Sequence, residues 1–210
     1  MQIPKEKIAH IFFGWKKIPE IIITTPLSLF FETITKKKRE NKRSWFLSEK
    51  IRKNIGIIKI APGRACEDVF ESLSWFKVKV IHLGFCCAIS PYLEIGDVTF
   101  IKSSFWKGMK KDSYFCEKRI FPEYIRKVKG LTLNSVLEAY KVGSKFKNTE
   151  VIDMETGILY KKIPRSISIN VVSDSLKQPF FSLSSHHHKR IRKSIKNTVD
   201  FVLKSLLYSI

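Results

Sequence analysis

Short runs rich in Ile and Val recur along this chain, and helix-like stretches separate them. Glu20-Ile21-Ile22-Ile23-Thr24-Thr25, Ile55 to Ile60, Val78 to Gly84, Val98 to Ile101 and Ser166 to Val172 each read as a strand. Pro26 ends the first run, and Leu27 to Ile34 then starts a helix. Ala65 to Phe76 puts Val69, Phe70 and Leu73 on one helical face. The tail from Lys189 to Leu207 carries Ile191, Ile195, Val199, Val202 and Leu206 at helical spacing. Apolar strands alternating with helices restrict the chain to an α/β fold. The expectation is a single three-layer α/β/α domain over residues 20–210, built on a mixed, mostly parallel central sheet. Residues 1–19 read as an N-terminal extension, basic and aromatic, without a clear period. Ser103 to Gly130 reads as irregular, basic and aromatic, and Ser135 to Phe146 as a helix.

A length of 210 residues with 44% hydrophobic residues is enough for one real core and excludes global disorder. The 39 Lys and Arg against 19 Asp and Glu leave a net charge of +20. That surplus favours an acidic partner, namely nucleic acid, anionic lipid or a phosphorylated substrate. The plainer reading is solvated basic faces, because the charge is spread along the chain. Cys66, Cys86, Cys87 and Cys116 form no CxxC pair, so buried reduced thiols and a cytoplasmic setting are expected. No stretch reaches the ~18 apolar residues of a membrane span.

Chemistry concentrates on two acids. Glu155 lies in Val151-Ile152-Asp153-Met154-Glu155-Thr156-Gly157, at the start of a helix-like stretch that ends at Ile163-Pro164. Asp174 lies in Val171-Val172-Ser173-Asp174-Ser175, at the end of the next strand. Carboxylates at a helix start and at the following strand end can converge on one pocket, where one grips a sugar diol and the other protonates a leaving group. Each is also a common helix start or turn residue.

The order of these segments resembles the nucleoside phosphorylase and nucleosidase superfamily, with purine nucleoside phosphorylases and methylthioadenosine/adenosylhomocysteine nucleosidases among its members. The resemblance runs from about Glu20 to the C-terminus. Ala61-Pro62-Gly63-Arg64-Ala65 is similar to that family's Gly-rich turn, and Val80 to Ile89 to its strand ending in a Gly-x-Ala-Gly loop. Leu93-Glu94-Ile95-Gly96-Asp97-Val98 matches its Leu-x-x-Gly-Asp-Val signature. Val151 to Gly157 is similar to its Met-Glu segment, and Val171 to Asp174 to its Val-x-Ser-Asp segment. Details lean toward the futalosine hydrolase and hopanoid-associated nucleosidase branch.

The resemblance implies cleavage of the N-glycosidic bond of a purine-type nucleoside, without a metal or organic cofactor and with inorganic phosphate as a conceivable co-substrate. It implies that Glu155 accepts hydrogen bonds from the ribose hydroxyls and Met154 packs on the sugar. It makes Asp174 the acid at purine N7, with Ser173 orienting it, and places Phe85 and Gly84 near the base. It also suggests homo-oligomers whose neighbours complete the pocket. Two departures stand out. The family's water-activating acid falls on Phe30 here, with Glu32 two places on, and Cys86-Cys87 replaces small residues. The alternative is therefore a catalytically impaired nucleoside-binding protein, or a protein that binds nucleic acid or membrane through its basic surface.

Arg64 is a weaker candidate, for phosphate, beside its glycine turn. Lys36 to Arg43 and His186 to Lys196 are the dense basic patches, with Trp45, Phe46, Phe105 and Trp106 as interleaved aromatics. A peripheral position at the membrane is the matching expectation. His186-His187-His188 is expected to be a solvated helix start, because consecutive helical residues diverge by ~100° and cannot share one ion.

Overall fold

A computed structural model describes residues 4–36, 47–106, 109–112, 121–135, 138 and 148–206. Its elements are α1 (Lys5–Phe13), β1 (Ile21–Thr25), α2 (Ser28–Thr35), β2 (Leu47–Arg52), β3 (Ile55–Lys59), α3 (Glu67–Ser74), β4 (Lys79–Ala88), β5 (Val98–Trp106) and β6 (Met109–Asp112). They continue with β7 (Ile125–Thr132), β8 (Val151–Asp153), α4 (Thr156–Lys162), β9 (Ser166–Ser175) and α5 (Ser185–Phe201). Short 3-10 turns cover Gly63–Cys66 and Phe180–Ser182.

The strands form one nine-stranded sheet in the order β2-β3-β1-β4-β8-β7-β5-β6, with β9 pairing both β4 and β5. Its pairs are both parallel and antiparallel, as expected. The double pairing of β9 adds something the apolar runs did not reveal. β4, β9, β5, β7 and β8 join in a closed ring.

Side-chain alternation sorts the sheet residues to two faces. Ile21, Ile23, Ile57, Ile81, Leu83, Ile167 and Ile169 pack with Phe30, Phe31 and Ile34 of α2 and with Ile191, Ile195 and Val199 of α5. Ile22, Ile58 and Val80 pack with Phe13 and Trp15, with Val69, Phe70 and Leu73 of α3, and with Ile158 and Leu159 of α4. Helices thus cover both faces, giving the three layers expected. Each fully buried aliphatic or Phe side chain contributes about 1.5–3 kcal/mol.

Several local readings change. Ser103 to Gly130 holds the end of β5, all of β6 and the start of β7. Lys-rich strands with little apolar alternation carry a weak period-2 signal, and pairing with neighbours decides them. Residues 5–13 form a helix whose end meets the core through Phe13 and Trp15. Trp106 is a core residue rather than a surface aromatic. Lys37 to Phe46, Cys116 and nearly all of the expected Ser135 to Phe146 helix lie outside the described residues.

The Gly96-Asp97 signature anchors α5. Gly96 has φ +91°, which only glycine adopts freely, and a Cβ there would lie 2.5 Å from Arg190 Cγ. Arg190 donates to Asp97 at 3.0 Å and to Glu94 at 2.6 Å, and the Ser194 hydroxyl donates to the Gly96 carbonyl. Arg126 adds a second cation 3.5 Å from Asp97. Ser184 caps α5 in a reciprocal box with His187, which matches the solvated helix start expected for the three histidines.

Candidate functional site

Three strands lay a row of polar side chains under the start of α4. Thr24 of β1, His82 of β4 and Ser168 of β9 are register partners, and Gly84 and Asn170 form the next pair. All of these polar side chains are fully buried. They share the face of Val80, opposite Ile81 and Leu83, because strand side chains alternate.

The β8–α4 junction faces this row. Asp153 does the capping: it accepts from the Thr156 backbone N–H at 2.8 Å and from the Thr156 hydroxyl. The Thr132 hydroxyl donates to its other oxygen at 2.6 Å. Thr156 in turn meets Ser168 at 2.8 Å, and Asn170 donates to Ser168 at 3.1 Å. Asp153 therefore relieves Glu155 of a structural task, although Glu155 occupies the residue before the helix.

Glu155 reaches across to the Pro62-Gly63 turn, where the Gly63 N–H donates to Oε1 at 2.8 Å. Gly63 has φ +66°, the left-handed region that lets this N–H point inward. The other oxygen, Oε2, lies 3.9 Å from His82 Nε2. Glu155 is 2% exposed and has no Lys or Arg partner among the described residues. Burial, with the Asp153 charge second, pushes its carboxyl up to about 8, so it holds its proton at neutral pH. Burial raises Asp153 as well. Burial depresses His82 to about 3, so that imidazole is neutral. Met154 lies against the same turn, with Sδ 3.8 Å from where a Gly63 Cβ would stand.

Asp174 is built differently. The β4–β9 register runs Cys86 to Val172 and then Cys87 to Asp174, so Ser173 is the extra residue of a bulge. Bulges re-aim the side chains around them. The Ser173 hydroxyl donates to Asp174, and the Cys87 thiol lies against the same carboxylate. Burial raises the Asp174 carboxyl, opposed by these two donors, while burial and Asp174 push the Cys87 thiol up to about 12. Asp174 is 7% exposed.

The structure thus gathers Glu155, Met154, Gly63, His82 and Gly84 into one group, and Asp174, Ser173 and Cys87 into another. The two flank the Gly84 to Cys87 stretch of β4, and no described hydrogen bond or ion pair joins them. Phe85 lies in that stretch, half-buried, edge-on to Phe30 at 6.3 Å and 6.2 Å from Phe180. Phe30 is wholly buried in the core. The Arg64 side chain is 67% exposed and lies 3.9 Å from Glu67.

Sequence reasoning missed Asp153 as a capping residue and His82, Asn170 and Thr24 as site walls. The signal was the alternation Ser166-Ile167-Ser168-Ile169-Asn170, which marks one polar and one apolar face in a strand read simply as apolar. No cluster of three His, Cys, Asp or Glu able to hold a metal ion occurs among the described residues. No described helix is long and apolar enough to cross a membrane.

No protein-family model matches the chain, and no curated protein matches it in sequence. Solved structures do. A 5′-methylthioadenosine/S-adenosylhomocysteine nucleosidase from Campylobacter jejuni superposes with a TM-score of 0.66 at 15% identity, over 89% of this chain and 97% of that one. Futalosine hydrolase of Helicobacter pylori gives 0.63 at 14% identity, over 92% and 100%. Uridine phosphorylase of Vibrio fischeri gives 0.69 at 13% identity, over 91% and 93%. The chain shares the fold of these two nucleoside hydrolases and this phosphorylase, at 13–15% identity.

Proposed function

We propose that this protein binds a purine-type nucleoside and cleaves its N-glycosidic bond. The observation that carries the reading is Glu155, a buried carboxyl with no cationic partner among the described residues, met there by backbone hydrogen bonds and a neutral imidazole. A structural acid is normally paired when buried, because an isolated charge there is costly. A sugar diol supplies the missing donors, and hydrogen bonds to an ionised carboxylate are among the stronger ones.

Asp174 is the candidate acid. Burial keeps its carboxyl toward the protonated form, while Ser173 and Cys87 hold its orientation. A protonated carboxyl at purine N7 makes the base a better leaving group as the bond breaks through an oxocarbenium-like state. Met154 and Phe85 offer apolar surface to sugar and base. Nucleosidases and a phosphorylase of the same fold support the reaction class. Release of free base from a panel of purine nucleosides, with and without phosphate, tests the reading. Base released by the wild type and lost in Asp174→Asn supports it, and no release at high enzyme concentration overturns it.

Phe30 favours a second reading, nucleoside binding without turnover. The place where the family carries its water-activating acid is here a fully buried core ring. Calorimetric binding of a nucleoside without base release would select this reading.

A further inference from the structure

Two buried polar atoms among the described residues lack a partner within the same few ångströms: His82 Nε2 and Asn170 Oδ1. Both lean over Gly84, since a Cβ there would lie 2.9 Å from Nε2 and 2.5 Å from Oδ1. Glu155 Oε2 lies 3.9 Å from Nε2. The imidazole's far nitrogen, Nδ1, is engaged by the Thr24 hydroxyl at 3.2 Å. A neutral imidazole has one N–H and one lone pair, and the partner of one nitrogen fixes the role of the other. When Thr24 donates to Nδ1, the proton must sit on Nε2, near both acceptors.

We propose that His82 is the positioning residue of Glu155: its Nε2–H swings between Asn170 Oδ1 and Glu155 Oε2, and it engages Glu155 when that carboxyl is ionised. The proposal rests on the reading that Glu155 grips the ligand's sugar. Asn170 takes the hydrogen bond while Glu155 keeps its proton. Loss of that proton makes Oε2 the better acceptor, because hydrogen bonds to charged groups are about twice as strong as neutral ones. The ionised carboxylate is then held by Gly63 N–H on one oxygen and by His82 on the other, so its remaining lone pairs face the ligand in a fixed direction. Glycine at position 84 is required, since any side chain would displace both acceptor and donor. The titratable groups facing Glu155 are His82 from β4, Asp153 from β8 and Cys66 from the turn before α3. Burial holds His82 neutral and raises the Cys66 thiol, so His82 acts as a dipole, not as a charge.

Nuclear magnetic resonance of the unliganded full chain tests this. The expected result is an imidazole protonated on Nε2 from pH 5 to 9, whose Nε2–H resonance shifts with the same midpoint as the Glu155 side-chain carboxyl. His82→Gln, which keeps a donor, should leave that midpoint in place. His82→Leu should raise it by about one pH unit, a tenfold change in proton affinity. Thr24→Val should move proton population onto Nδ1. A proton on Nδ1 in the wild type, or an Nε2–H resonance blind to Glu155 ionisation, overturns the proposal, and both are read on wild-type protein should His82→Leu fail to fold. These readouts need no turnover. Absence of nucleoside cleavage would therefore count against the functional reading alone.

Discussion

Asp97 and Glu155 are carboxylates from neighbouring segments of one motif series, yet the molecule treats them in opposite ways. Asp97 is part-exposed and faces Arg190 and Arg126, and it also accepts from the Glu94 N–H at 3.0 Å. Every lone pair that matters is spoken for, and the product is the docking of α5 on the sheet. Glu155 is more deeply buried, faces no cation among the described residues, and has its capping duty taken by Asp153. A fold that can satisfy a carboxylate fully and does not do so has left it available. The lesson is that motif membership does not separate a strut from a candidate binding group, whereas the accounting of partners offers a way to tell them apart.

The largest effects should separate the two acids by activity. Asp174→Asn and Glu155→Gln should each lower base release by about a hundredfold or more, the range of a lost acid or a lost transition-state contact. Asp97→Asn should leave turnover per folded molecule unchanged. Equal losses in a base-release assay would break the distinction.

Stability should rank them in reverse. Gly96→Ala should cost about 1–3 kcal/mol, because it places a side chain at positive φ. It also drives a Cβ into Arg190, so thermal melting should show the loss first in α5. Asp97→Asn should cost less, about 1 kcal/mol, as one charged acceptor becomes neutral.

The pH dependence of stability sharpens the contrast. The folded Glu155 carboxyl sits near 8, above its ordinary value of 4.5. The native state therefore binds the proton more tightly than the unfolded chain, so its contribution is fully present below about 4.5 and is lost as pH rises through about 8. Denaturant melts from pH 5 to 8.5 should show stability falling in the wild type and a flatter slope in Glu155→Gln. A slope unchanged by that substitution would place the titration elsewhere. Ligand binding should carry the opposite sign, because hydroxyl donors favour the ionised form. Affinity for a nucleoside should rise toward pH 8, with proton release seen as buffer-dependent heat.

The smallest effect belongs to Glu94, whose side chain is 70% exposed. Glu94→Gln should leave the melting temperature within scatter, as exposed ion pairs generally do.

Much of this was legible in the chain itself. Dense Ile and Val runs announced β1, β3 and β4, and helical spacing announced α3 and α5, because burial on one face writes itself into periodicity. Glu155 and Asp174 stood out as candidates through the segments around them, and the proposed assays decide their roles. The rest depends on tertiary partners. β8 is three residues long and exists only because β4 and β7 receive it. The Ser173 bulge is a mismatch between two strands and has no signature in either alone. His82 is one polar residue in an apolar run, and its meaning appears only when Thr24, Asn170 and Glu155 arrive from three other elements.

The closed ring has a consequence for the order of assembly. β9, which follows the other described strands in the chain, supplies the pairing that links β4 to β5. Until residues 166–175 leave the ribosome, two long strands each present an unmatched backbone edge, the kind of surface on which chains stick together. Closure waits for contacts between segments far apart in sequence, which are slow to form. β9, the last of the described strands, is thus the clasp of the ring, and a chain shortened before it would be exposed to self-association before it could be tested for any chemistry.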